Sequence, residues 1–189
     1  MLILINTTKM KSHQDNALGQ LGGAIGKGLL AGLAGTAAIT LSQMIEMKLT
    51  KREPSEAPVK VAQQVTDVKP VNKEAKEKVS QEIHWAYGTA WGIARGIVGL
   101  TGLRGLPAVA VHFAAVWGTS MVMLPKFKAA PPVTDQDPKA VAIDGLHHMV
   151  YALAAGFTYD ALDTSTHERK LDKLVRQLHL KGVLKKVGL

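Results

Sequence analysis

Five ionisable side chains could form a polar site, namely Glu46, His84, Asp144, His147 and His148. Carboxylates and imidazoles together bind divalent cations or relay protons. Glu46, His84 and His148 would supply the three protein ligands of a zinc site. No tightly spaced ligand pair, such as His-Glu-x-x-His, supports a metal. The alternative is that these groups bond to one another, to lipid head groups and to water at a membrane interface.

Arg95 is the second feature with chemical potential, because it lies well inside an otherwise apolar segment. A cation in hydrocarbon costs at least about 2.5 kcal/mol and requires a partner. We expect an Arg95–Asp160 ion pair or an Arg95–Tyr159 contact. The alternative is that these residues line a path for a substrate or an ion.

The pattern His-x-x-Tyr-x-x-Ala-x-Gly occurs twice, beginning at His84 and again at His148. The apolar segment before each copy contains Gly-Thr, at Gly35 and at Gly118. This echo predicts a duplicated helical hairpin in which the two His-x-x-Tyr helices run parallel. In that register Arg95 lies level with Tyr159 and Asp160.

Four apolar segments are each about as long as the ~20 residues that a helix needs to cross a bilayer. We predict an all-α fold, a four-helix transmembrane bundle, within residues 28–162. The predicted spans are about 29–47, 83–103, 106–124 and 141–162. A polar loop, 48–82, follows the first span and contains a short helix after Pro58 and another after Asn72. The alternative is a soluble bundle with four buried helices.

Small residues at every fourth position distinguish these segments from soluble helices. In water each interior glycine costs a helix about 1 kcal/mol relative to alanine. In a bilayer such residues instead let two helices approach closely. The predicted packing residues are Gly88, Gly92, Gly96 and Gly156, with further ridges at Gly28/Gly32 and Ala110/Ala114/Gly118.

The composition limits the remaining possibilities. The chain has 189 residues, a net charge of +8, no cysteine and 47% hydrophobic residues, of which few are aromatic. Thiol chemistry and disulfides are therefore excluded, and no nucleic-acid motif accompanies the basic charge. We predict a polar N-terminal tail, 1–27, and a basic amphipathic tail, 163–189, that lies on anionic lipid head groups. The alternative for the latter is a soluble helix packed on a partner.

The chain resembles the YagU-like family of small bacterial inner-membrane proteins, a domain of unknown function. The resemblance rests on GLLAGLAGTAAIT in the first span, on Lys51-Arg52-Glu53-Pro54-Ser55 after it, and on the two His-x-x-Tyr segments. It implies a four-helix protein of the bacterial inner membrane. It implies no activity and assigns no functional residue, and the basic tail is not part of it.

These features together favour a non-enzymatic accessory or structural membrane protein without a cofactor, which forms a homo-oligomer or joins a larger membrane complex. The alternative is a small oligomeric transporter or channel for ions, protons or a small solute, and a membrane-bound metalloenzyme is a weaker third. Lys and Arg divide equally between the two sides of the predicted bundle, so the positive-inside rule does not orient it. The six acidic residues of the first loop and the basic tail favour cytoplasmic N and C termini.

Overall fold

The described chain is helical. The computed structural model describes the backbone of residues 2–66 and 71–187 and the side chains of residues 17–65 and 71–163. In this part of the chain there are five α-helices, one 3₁₀ turn at Val133–Asp135 and no strand. The α-helices are α1 (Leu2–Thr50), α2 (Ala57–Thr66), α3 (Lys73–Leu100), α4 (Gly105–Lys126) and α5 (Pro138–Val187).

The four long helices pack side by side, with α1 between α3 and α5, and with α4 against α5 and α3. Helices α1 and α3 are antiparallel, because Gly28 lies against Gly92 and Thr36 lies against Gly88. Helices α3 and α5 are parallel, since the Tyr151 hydroxyl donates to the Gly88 carbonyl at 2.7 Å and Asp160 contacts Arg95. These two contacts join residues that are 63 and 65 positions apart. The two copies of the repeated pattern are 64 positions apart, so the contacts agree with the register that the pattern predicts.

Three described helical segments are long and apolar enough to cross a membrane: Ala17–Thr50, Gly105–Lys126 and Pro138–Asp163. They contain the first, third and fourth predicted spans. Helix α3, which contains the second, is not one of the three. Its first two turns carry Lys73, Glu74, Lys76, Glu77 and Lys78, and Arg95 follows further along.

Capping residues explain several helix boundaries. The Asn72 side chain accepts a hydrogen bond from the Ala75 amide at 2.8 Å, which satisfies a free N–H group in the first turn of α3. The turn from α3 to α4 needs two residues with positive φ, and glycine occupies both, at Gly102 (φ 88°) and Gly105 (φ 57°). The short helix expected after Pro58 is α2, which begins at Ala57, one residue before that proline.

Both terminal segments are helical. Helix α1 begins at Leu2, so it includes the polar segment 1–27 almost entirely, and α5 continues through 163–189 as far as Val187. The prediction that the basic tail has an amphipathic face concerns side chains 164–189, which lie outside the described residues.

The side-chain distribution of the bundle is inverted relative to a soluble protein. The largest fully buried side chains are Arg95, His112, Val59 and Thr36. Large apolar side chains face outward on every long helix, for example Leu30, Leu41, Ile97, Val122 and Phe157. A soluble bundle would bury such side chains, whereas an outward-facing apolar surface with small and polar residues inside is typical of membrane helices.

Candidate functional site

Glycine contacts hold α1 and α3 together and position the polar groups. A Cβ atom on Gly92 would lie 2.6 Å from the Gly32 amide nitrogen, and one on Gly96 would lie 2.9 Å from the Ala24 carbonyl carbon. Gly88 lies against the Thr36 side chain. The α3 ridge therefore fits directly onto the Ala24/Gly28/Gly32 ridge of α1. Gly156 on α5 lies instead against Val109 of α4.

Arg95 contacts both of the partners that the sequence suggested. Its Nη2 donates to Asp160 Oδ1, and its guanidinium carbon lies 4.4 Å from the centre of the Tyr159 ring. The Arg95 side chain is fully buried, and its Nε and Nη1 have no hydrogen-bond partner among the described residues. Asp160 Oδ2 also accepts the Gly105 amide at 3.0 Å. One carboxylate therefore joins α3, the first turn of α4, and α5.

A second carboxylate, that of Asp163, lies next to the Arg95–Asp160 pair and was not among the residues predicted from the sequence. Asp163 Oδ1 lies 2.6 Å from Lys27 Nζ, and Asp163 Oδ2 lies 2.6 Å from Arg104 Nη2. The available signal was the spacing of Asp160 and Asp163, since residues three apart share one face of a helix. The cluster lies at the end of the bundle where α3 turns into α4.

The five predicted polar residues lie at the opposite end and fall into three groups. Glu46 pairs with Arg52 at 2.7 Å and accepts the Thr50 hydroxyl at 2.9 Å, whereas His147 Nε2 is 3.9 Å away. His147 Nδ1 is 2.8 Å from the Ser42 hydroxyl. Glu46 and His147 are therefore joined only by a long contact.

Asp144 and His148 form the second group. His148 Nδ1 donates to the Asp144 carbonyl at 2.9 Å and lies 3.4 Å from the Asp144 carboxylate. The indole nitrogen of Trp117 donates to the same carboxylate at 3.0 Å. Asp144 thus fastens α4 to α5.

His84 forms the third group with Thr40. The Thr40 hydroxyl donates its single hydrogen to the Thr36 carbonyl at 2.7 Å, so at the 3.1 Å contact with His84 Nε2 the histidine must be the donor. The proton of the neutral ring is therefore on Nε2. Within the described residues no three His, Asp or Glu side chains are placed to hold a metal ion, so the proposed Glu46/His84/His148 ligand set is not assembled.

His112 lies near the start of the third predicted span, a position that would favour the membrane interface. It is instead fully buried, its Nε2 donates to the Trp91 carbonyl at 3.1 Å, and its ring packs against Tyr151. The reason is that His112 lies on the same face of α4 as Ala108 and Val109, and this face packs into the bundle.

Helices α3 and α4 separate towards the other end, and a cavity of about 920 Å³ lies between them, next to α1 and α2. Its apolar lining includes Ile39, Trp91, Val116, Met123 and Leu124. The polar lining includes Thr40, His84, Ser120, His148 and Tyr151. Arg95 and Asp160 do not line it.

Charged residues at the mouth of the cavity come from the segment before α2 and from the first turns of α3. Lys76 lies 2.6 Å from Glu56, and this hydrogen bond holds the pKa of Glu56 below its ordinary value. The pair joins α3 to the residue that precedes α2. A surface ion pair therefore connects the two segments that border the opening of the cavity.

Comparisons with known proteins do not assign this arrangement. A scan of protein-family models finds no match to the chain. Searches of curated proteins and of solved structures find none either.

Proposed function

We propose that this chain is a non-enzymatic accessory or structural protein of the bacterial inner membrane, and that it self-associates through α4. In this proposal α1, α3, α4 and α5 all cross the bilayer as a duplicated hairpin, with the N and C termini in the cytoplasm. Membership of the YagU-like family is part of the same proposal.

A membrane location is supported by the three apolar helical segments and by the outward-facing Leu, Ile, Val and Phe side chains. Helix α3 fits as a fourth crossing because its most costly group is shielded. Arg95 is fully buried and paired with Asp160, so lipid would not contact its charge. The mean hydropathy of α3 includes the full polar value of Arg95, although this side chain is buried in the bundle.

Self-association rests on one observation, the uncovered small-residue ridge of α4. Ala110, Ala114 and Gly118 are all exposed, and no described residue lies where a Cβ on Gly118 would be. The ridges of α1 and α3, by contrast, cover each other. The stacked rings of Phe113 and Trp117 lie alongside the α4 ridge.

A second copy of the chain is the partner that suits this ridge. Small-residue ridges allow two helix backbones to approach closely, and a two-fold axis brings identical residues together. A transport path through Arg95 and Asp160 has no support, because these residues do not line the cavity.

Disulfide cross-linking in native membranes tests self-association directly, since the natural chain has no cysteine. We expect Ala114→Cys to give a covalent dimer on mild oxidation. The matched control is Leu30→Cys, an exposed site on α1 that should give little dimer. Combining Ala114→Cys with Gly118→Leu should reduce the dimer yield, because the added side chain separates the helices.

Three results would contradict the proposal. Ala114→Cys would remain monomeric, it would cross-link only to a different protein, or Leu30→Cys would dimerise as readily. The second result would place the ridge against another membrane protein and would reject self-association.

A further inference from the structure

The cavity between α3 and α4 has no part in the proposed self-association, because its lining residues and the α4 ridge lie on different faces of α4. Val116 and Ser120 line the cavity, whereas Ala114 and Gly118 face outward. Its volume of about 920 Å³ is in the range of small-molecule sites, which are mostly apolar with a few placed polar groups.

The charges at the mouth exclude a strongly charged ligand. Three basic residues line the cavity, Arg52, Lys73 and Lys76, and three acidic residues do so, Glu53, Glu56 and Glu77. Each basic residue already has an acidic partner: Arg52 pairs with Glu46, Lys73 with Glu77 and Lys76 with Glu56. An anionic head group would have to displace one of these pairs, and the three basic and three acidic lining residues leave no net charge to attract an ion, so a neutral ligand fits better.

Part of the polar lining offers hydrogen-bond acceptors, because the hydrogens of these side chains are already committed. His84 donates through Nε2 to Thr40, and His148 donates through Nδ1 to Asp144. In the neutral rings, His84 Nδ1 and His148 Nε2 are then acceptors. Neither nitrogen is bonded to another described group, and neither is among the described polar atoms that are fully buried. They are therefore accessible.

Two hydroxyl groups in the lining behave in the same way. Ser120 donates to the Trp117 carbonyl at 2.7 Å, and Tyr151 donates to the Gly88 carbonyl at 2.7 Å. Each oxygen keeps lone pairs but no free hydrogen. A ligand that satisfies this set must bring its own donors, together with an apolar body for Ile39, Trp91 and Val116.

We propose that the cavity binds a neutral, single-chain amphiphile with hydroxyl groups, of the monoacylglycerol class. Its hydroxyls donate to His84 and His148, and its acyl chain packs among the apolar lining residues. The ligand enters from the lipid phase, in which the outward faces of the helices reside.

Photo-labelling of the purified full-length protein in phosphatidylcholine nanodiscs tests this site. The probe is a monoacylglycerol with a diazirine at the end of its acyl chain, and labelled peptides are identified by mass spectrometry. We expect labelling at cavity residues such as Val116 and Met123, and competition by unlabelled monoacylglycerol. The fatty-acid methyl ester of the same chain length has no donor and should compete about tenfold more weakly, as for the loss of one good hydrogen bond.

A pair of variants on α4 provides the matched control. Ser120→Phe fills the cavity and removes only a hydroxyl that bonds within its own helix, so labelling of the cavity should fall strongly. Val122→Phe is exposed, does not line the cavity and should leave labelling unchanged.

The proposal fails if labels spread over lipid-facing residues without competition, or if Ser120→Phe and Val122→Phe label equally. It also fails if the methyl ester or the free fatty acid competes as well as the monoacylglycerol. The ligand comparison uses the natural chain, so it decides the matter even if Ser120→Phe does not fold.

Discussion

The charge of Arg95 is fully buried in the bundle and is compensated by groups on α5. Asp160 accepts a hydrogen bond from its guanidinium, and the Tyr159 ring lies beneath it. Asp160 also accepts the Gly105 amide at the start of α4, where the helix dipole favours a negative charge. Removal of either charged group therefore leaves the other one uncompensated inside the bundle.

We predict that Arg95→Met lowers the free energy of unfolding in detergent by about 3 kcal/mol, because it leaves a partly buried carboxylate without its cation. Asp160→Asn, which keeps an acceptor for Gly105, should destabilise by a similar amount. In the double variant the two losses should not add, with a coupling of at least about 1 kcal/mol. Unfolding measured on all four proteins checks this, and strictly additive losses would show that the two charges do not stabilise each other.

Among the described glycines, Gly92 has the least room for a side chain. A Cβ atom there would be 2.6 Å from the Gly32 amide nitrogen, which is backbone and cannot rotate away. We predict that Gly92→Ala separates α1 from α3 and destabilises the bundle by about 1–3 kcal/mol, as overpacking does. Thermal unfolding in detergent measures the effect.

Gly26→Ala is the control for this prediction, because nothing described lies within 4 Å of a Cβ at that position. Alanine should there be neutral or stabilise by up to about 1 kcal/mol through its helix propensity. Since only the surroundings differ, equal effects of the two substitutions would refute the packing argument. The bulkier Gly92→Leu should likewise disrupt the bundle more than His84→Ala does.

At the scale of elements, α2 is fastened to α3 by one apolar and one ionic contact. Val59 is fully buried, and Glu56, just before α2, pairs with Lys76 of α3 at 2.6 Å. The pair is exposed, so its contribution is small and is screened by salt. The packing of α2 should therefore depend mainly on the burial of Val59, with a smaller contribution from the ion pair.

We predict that the ion pair has a defined pH dependence. Lys76 lowers the pKa of Glu56, so the pair contributes fully above the ordinary carboxyl pKa of 4.5 and is lost as the pH falls through the lowered value. Amide hydrogen exchange in α2 should therefore be faster in Lys76→Gln than in the natural protein at pH 7. This difference should disappear in strong acid. A difference that is independent of pH would assign the effect to packing.

At the scale of the whole molecule, the bundle places its two functional ends on opposite sides. The Arg95/Asp160/Asp163 cluster lies at the α3–α4 turn, and the cavity lies at the end where α1 meets α2 and α4 meets the 127–137 segment. If the long helices cross the bilayer, these ends face different compartments.

We predict that single cysteines report this topology, since the natural chain has none to interfere. Glu53→Cys and Gln136→Cys should react with a membrane-impermeant maleimide added to intact cells, because the proposed orientation places both outside the cytoplasm. Thr101→Cys should react only after permeabilisation. If Thr101→Cys reacts from the same side as Glu53→Cys, α3 does not cross the membrane and the four-span proposal is wrong.

Much of the fold could be predicted because it depends on short-range spacing. Apolar segments predicted the three candidate spans, and the repeated pattern predicted the register that sets Arg95 beside Tyr159 and Asp160. Asn72 predicted a helix start, but the separate short helix expected there is the first part of α3. Helix α3, which contains the second predicted span, is not among those three apolar segments, because His84, Arg95 and its glycines lower its mean hydropathy.

Other features depend on which helix covers which face, and no local pattern encodes that. His112 is buried, and the polar residues near His84 are divided among three groups, because the packing of the long helices against one another sets their distances. The cavity also depends on how the helices pack against one another.

The amino-acid sequence by itself determined that the helices form and that glycine and alanine ridges run along them, because a period of 3.6 residues fixes which side chains share a face. Only the tertiary structure decided that the α3 ridge fits onto α1 while the α4 ridge stays uncovered. The physical reason is that close helix contact depends on the relative positions of backbones that are distant in the chain.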